Sequence, residues 1–119
     1  IMNIRCARLV AGDDVRVPLA GDQLCVDLDL SPANLPPGTR LQSGSAVLEV
    51  TAKPHTGCAK FTRRFGLAAD RWVNGGAGTR VRLRGICASV VVGGRIGVGD
   101  TVTKQPADPI PPATVEPCR

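Results

Sequence analysis

The sequence predicts a single β-rich domain carrying short helices. Residues 23–30 alternate apolar and polar side chains, the mark of a half-buried strand, and 46–51 and 86–92 are strand-like. Stretches with helical spacing are stopped early by glycine, at Gly12 and again at Gly66. A chain of 119 residues that is 43% hydrophobic and 21% charged suffices for one domain with its own core and excludes a disordered polymer.

Taken in order, Asn3 caps a helix over about 3–10, with Ile4, Leu9 and Val10 as its apolar side, and Ala11-Gly12-Asp13-Asp14 ends it. In the strand 23–30, Leu24, Val26, Leu28 and Leu30 face one way, and Gln23, Cys25, Asp27 and Asp29 the other. Ser31–Gly38 holds three prolines and reads as a turn-rich loop. A tight Ser43-Gly44-Ser45 then introduces the strand Ala46–Thr51. Pro54–Gly57 breaks the chain before a helix over 58–65 and a second short helix or turn over 67–73. Asn74–Gly78 reads as a flexible loop, and 81–83 and 86–92 as strands. Gly93-Gly94 predicts a hairpin that returns through Arg95–Val102. The domain is placed at 1–103 and a proline-rich extended tail at 104–119.

The longest uncharged apolar run, Ile86–Val92, is seven residues, against about 20 for a membrane span. No membrane segment is expected, and no basic-then-apolar leader opens the chain. Five cysteines (Cys6, Cys25, Cys58, Cys87 and Cys118) show no CxxC or Cys/His pairing, so neither a disulfide framework nor a zinc site is expected. Free thiols of this kind predict a cytoplasmic protein. The single histidine, His55, excludes a two-histidine metal site, and no G-x-S-x-G elbow supports a serine triad.

The net charge of +5 is unevenly spread. Residues 1–49 carry four basic and six acidic groups, whereas 50–99 carry nine basic groups and only Asp70. So positive a middle segment should attract an anionic cofactor or ligand. Nucleic acid fits poorly, because Phe61, Phe65 and Trp72 are the only aromatics to stack on. Arg80, Arg82 and Arg84 alternate, which on an extended strand would place them on one face.

The densest chemistry is His55-Thr-Gly-Cys-Ala-Lys-Phe-Thr-Arg-Arg64. With Thr56 as cap, Cys58 would sit in the first turn of a helix, where free N–H groups favour a thiolate, with Lys60, Arg63 and Arg64 close by. A thiolate so placed can attack, carry sulfur or ligate a soft metal. Alternatively Cys58 is a small apolar residue seating its helix, and His55 a turn residue rather than a base. The Cys58–Arg64 spacing also matches thiol phosphatases, but the intervening residues lack the glycines a phosphate loop needs.

Four blocks carry a resemblance: Leu19-Ala-Gly-Asp-Gln-Leu24, Asn34-Leu-Pro-Pro-Gly-Thr-Arg-Leu41, Ala46-Val-Leu-Glu-Val-Thr51 and Pro54-His-Thr-Gly-Cys-Ala-Lys-Phe61. Together with Arg84–Val90 and Gly94–Val102 they resemble the MOSC domain, the C-terminal domain type of molybdenum cofactor sulfurases, also found as small stand-alone bacterial proteins. The match runs from about Met2 to Val102. It implies a mainly β, MOSC-like β-barrel with short helices, and molybdenum cofactor (molybdopterin) as the cofactor, with neither pyridoxal phosphate nor zinc. It implies Cys58 as the catalytic residue and molybdenum ligand; His55, Thr56, Lys60, Arg63, Arg64 and Arg82 are the residues expected around the cofactor. The activity implied is that of a cofactor-dependent oxidoreductase component or a sulfur-transfer protein. The alternative is a non-catalytic, oligomeric binding or assembly module without a complete cofactor site. Ile1-Met2 opens the chain where the family carries an earlier Gly-x-x-Gly-Asp block, so a shortened copy with an exposed sheet edge is expected. Its expected partners are a second copy of itself and a redox protein, not nucleic acid or a membrane.

Overall fold

The computed structural model describes residues 1–105, so the proline-rich stretch from Pro106, with Cys118, lies outside the described residues. Asn3 behaves as its chemistry dictates. Its side-chain oxygen accepts from the N–H groups of Arg5 (2.9 Å) and Cys6 (3.3 Å), capping α1 (Ile4–Ala11). Gly12, at φ 81°, closes the helix by donating to the Arg8 carbonyl. The buried residues of α1 are Cys6, Ala7 and Ala11; of the expected apolar side Val10 packs partly buried against the core, whereas Leu9 is 74% exposed. Small residues win that face because α1 packs closely on Met2, Phe61 and Val73.

The predicted strand 23–30 shrinks to β2 (Cys25–Val26), paired in parallel with β1 (Met2–Asn3). Its partner ends where α1 begins, so no ladder can continue. The alternation survives as burial: Val26 and Leu30 are buried, with Leu24 and Leu28 packed against their cluster. The Asn3 amide donates to the Leu28 carbonyl at 2.8 Å, replacing a ladder bond.

A second sheet has the order β5-β4-β3-β6, all antiparallel, from β3 (Arg40–Ser43), β4 (Ala46–Val50), β5 (Ala88–Val92) and β6 (Val102–Lys104). β3 has no counterpart in the sequence reading. Nor does Gly93-Gly94 turn a hairpin: β5 pairs with β4, and the following segment wraps the β3–β4 turn to deliver β6 to the far side of β3. That detour is pinned where Ser45 N–H donates to the Arg95 carbonyl (3.0 Å) and Arg95 N–H to Ser45 Oγ (2.8 Å). Lys104, assigned to the tail from sequence, pairs with Leu41.

Three short helices follow β4: α2 (Ala59–Phe65), α3 (Leu67–Asn74) and α4 (Gly76–Val81). α4 replaces the expected loop 74–78 and strand 81–83. Gly78 is buried against the α3 carbonyls of Trp72 and Val73, an approach that leaves no room for a Cβ. Arg82 ends α4 in the left-handed region, at φ 56°. Arg80, Arg82 and Arg84 therefore form no stripe.

Helix takes 31% of the described residues and strand 20%, and the four-stranded sheet is not closed into a barrel. The mainly β barrel expected from the resemblance is thus corrected to an open antiparallel sheet with a helical layer. One core cluster (Val26, Leu30, Leu35, Leu41, Val50, Ile86) backs the sheet, and another (Met2, Cys6, Ala7, Phe61, Val73) joins the helices. Among the described residues no helix is long and apolar enough to cross a membrane.

Candidate functional site

Between the two clusters lies a buried ionic group. The Arg84 guanidinium donates to Asp22 Oδ1 at 2.6 Å and to the Ala20 carbonyl at 3.0 Å, and it lies 5.1 Å from the Phe61 ring centroid. Their side chains are 8% and 1% exposed, and the Ile1 ammonium stands 3.2 Å from Asp22 Oδ2, so cations replace water around the carboxylate. His55 Nδ1 stands 3.8 Å from Asp22 Oδ2, too far for a hydrogen bond, and among the described residues it is buried without a partner, as is Arg84 Nε.

Burial holds the His55 pKa below its ordinary value of 6.5, the Arg84 cation lowers it further, and Asp22 opposes both. Just below about pH 6.5 the unfolded chain takes up a proton that native His55 refuses. Stability is therefore full above that pH and falls as the pH drops from it toward the native pKa. Urea midpoints at about pH 5.5 and 7.5 should differ less in His55→Gln than in the parent. An unchanged difference would place the titration elsewhere.

His55 belongs to a loop that α3 fixes from behind. Gly57 N–H donates to Asn74 Oδ1 at 2.8 Å, and Asn74 Nδ2 returns a bond to the Gly57 carbonyl at 3.2 Å. The same amide donates to Asp70 Oδ1 at 2.9 Å, one helical turn back. A Cβ on Gly57 would lie 2.6 Å from that carboxylate, so any larger residue there must push the Asp70 side chain out of the clamp.

Cys58 follows directly. Thr56 does not cap α2 as expected; Cys58 itself is the N-cap, with an extended backbone at φ −114°. Its sulfur makes no formed capping bond. Even so, the N–H groups of Phe61, first, and Lys60 draw the thiol below the ordinary cysteine value, with Arg84 adding a smaller pull. The other thiols differ. Burial pushes Cys6 up to about 11, and burial with the Asp22 charge raises Cys25. Among these, Cys58 is the exposed sulfur with lowered basicity.

Alongside the loop is a cavity of about 210 Å³. Lys53, His55 and Thr56 line it from one side, and Asn74, Arg82 and Arg84 from the other. Among the described residues no carboxylate lines it. The predicted site residues thus divide. His55, Thr56 and Arg82 meet at the cavity, whereas Cys58 sits exposed at the end of the same loop. Arg82 spends one guanidinium nitrogen on the Leu30 and Leu35 carbonyls. Arg64 turns away to the Leu19 carbonyl at 2.8 Å, and Lys60 and Arg63 stand exposed on α2. Sequence reasoning missed Asp22, Arg84 and Asn74; the one available signal was Asp70, the lone acid in a basic segment, four residues before Asn74.

The family model for the MOSC domain matches residues 5–103. The chain belongs to the MOSC domain family. MOSC domains are associated with molybdenum-cofactor-related proteins, which is the general role this chain shares. Neither the curated proteins nor the solved structures hold a significant match to it. In this MOSC domain the Pro54–Phe61 block, singled out from sequence, is the loop that borders the cavity, Cys58 at its end and the first turn of α2.

Proposed function

We propose that this MOSC domain holds the molybdenum cofactor, or carries sulfur for it, with Cys58 as the working thiol. The observation that carries the reading is the exposed, acidified Cys58 at the end of a clamped loop whose other residues line a cationic cavity. The donor set fits such a group: a soft thiolate suits molybdenum, and Lys53 and Arg82 suit an anionic end. When bound, the cofactor supplies the redox chemistry. The chain's own residues orient and charge-match it, and neutral His55 beside Asp22 offers a hydrogen-bonding edge that stays uncharged at neutral pH. As a sulfur carrier, Cys58 thiolate would attack the outer sulfur of a donor persulfide. Its Sγ–S bond forms as the donor S–S bond breaks, and the donor leaves as a thiolate.

The test is iodoacetamide alkylation across pH, read by intact mass and peptide mapping, with and without added molybdenum cofactor. Cys58 should react with a midpoint below the usual thiol value of about 8.5, ahead of Cys25, and be protected by cofactor. Ordinary reactivity indifferent to cofactor would overturn the reading.

A second reading, a binding or assembly module without a complete cofactor site, is favoured by one observation. A cavity of about 210 Å³ falls short of the roughly 300 Å³ at which small-molecule pockets begin. Cofactor protection of Cys58 would remove this reading, and its absence would leave it standing.

A further inference from the structure

We propose that the outer edge of β5 is a self-association surface that takes a second copy of this chain by antiparallel β5–β5 pairing. Among the described residues β5 ends the sheet, so its outward N–H and C=O groups have no ladder partner there. Along it Val90, Val91 and Val92 are 67%, 39% and 50% exposed, and Ile96 and Val98 of the next segment are exposed too. Exposed edges are usually blunted by lysine, proline or an inward charge. Residues 85–94 contain none of these. The one irregularity is a bulge at Val91, between the Val47–Val92 and Leu48–Val90 pairs. The opposite edge, β6, is three residues long and ends in Lys104, so it is protected where β5 is not.

Charge decides the occupant. A stretch with no charge from Gly85 to Gly94 offers nothing to an acidic or basic peptide. Antiparallel pairing with its own copy sets Ala88 against Val92 and Ser89 against Val91, and no like charges meet. Two strands of five residues bury less than the roughly 800 Å² per partner of a standard interface. The dimer should therefore be weak and concentration-dependent. This proposal is independent of the cofactor reading.

Sedimentation velocity and light scattering on the full chain, from about 5 to 500 µM, read the association directly. The expected result is a monomer–dimer shift across that range, weakened about tenfold or more by Val90→Lys or Val92→Lys. Trp72 fluorescence verifies that each variant is folded. Should both variants fail to fold, hydrogen exchange on the parent chain decides, since amides of Ser89–Val92 must gain protection with concentration. A monomer throughout, or a dimer that neither lysine moves and whose β5 amides stay unprotected, would overturn the proposal.

Discussion

Arg84→Met will destabilise the domain by about 3–5 kcal/mol, the cost of stranding a buried charge. The Asp22 carboxylate is 1% exposed and takes its shortest bond, 2.6 Å, from Arg84. Methionine fills similar volume against Phe61 but supplies neither charge nor donor, and it leaves the Ala20 carbonyl without its partner. Chemical unfolding monitored through Trp72 measures the loss. The double variant Asp22→Leu/Arg84→Met should recover part of it, because the stranded carboxylate is gone while the Ile1 ammonium, 3.2 Å from Asp22 Oδ2, loses its partner. Equal losses in the single and double variants would show that Arg84 acts by packing alone.

The second large effect is at Asn74. Asn74→Ala removes the two-way bond to Gly57 and frees Asp70 Oδ1. Losing bonds to a half-buried loop should cost about 1–3 kcal/mol. The more telling outcome is at Cys58, which makes none of these bonds. Once Gly57 is released, the thiol no longer sits steadily before the N–H groups of Phe61 and Lys60, and its alkylation midpoint should move up toward that of an ordinary cysteine. Asp70→Asn keeps the space and one possible bond, so it should preserve the Cys58 profile better than Asn74→Ala. A lowered stability with an unchanged Cys58 profile would confine the clamp to folding.

What could be read from the sequence was whatever depended on neighbours in the chain. The Asn3 cap and the Gly66 stop are local chemistry, and both stand where expected. Alternation over 23–30 correctly sorted buried from exposed side chains, yet it could not reveal that the pairing partner is only two residues long. α4 was illegible because three glycines among residues 75–78 argue against a helix, and only the close seat of Gly78 on α3 reverses that. β3, four residues with three polar side chains, has too little pattern to detect. In the site, His55, Thr56 and Arg82 share a cavity, which the structure alone reveals. Asp22 and Arg84 lie 62 residues apart, and no local pattern joins them. Arg84 was placed instead on an exposed stripe that the left-handed turn at Arg82 rules out.

The route of the chain through its larger sheet also governs when the domain can finish folding. β3 and β4 form a hairpin from adjacent residues, but β3 receives its other neighbour only when residues 102–104 arrive, some sixty positions later. Ile1 likewise waits, since the Ile86 N–H donates to its carbonyl from far along the chain. Closing such long loops costs entropy before any contact rewards it. On the ribosome, then, the two halves must be held apart as incomplete pieces until the final strand emerges, and the native state forms late and together rather than from the N-terminus outward.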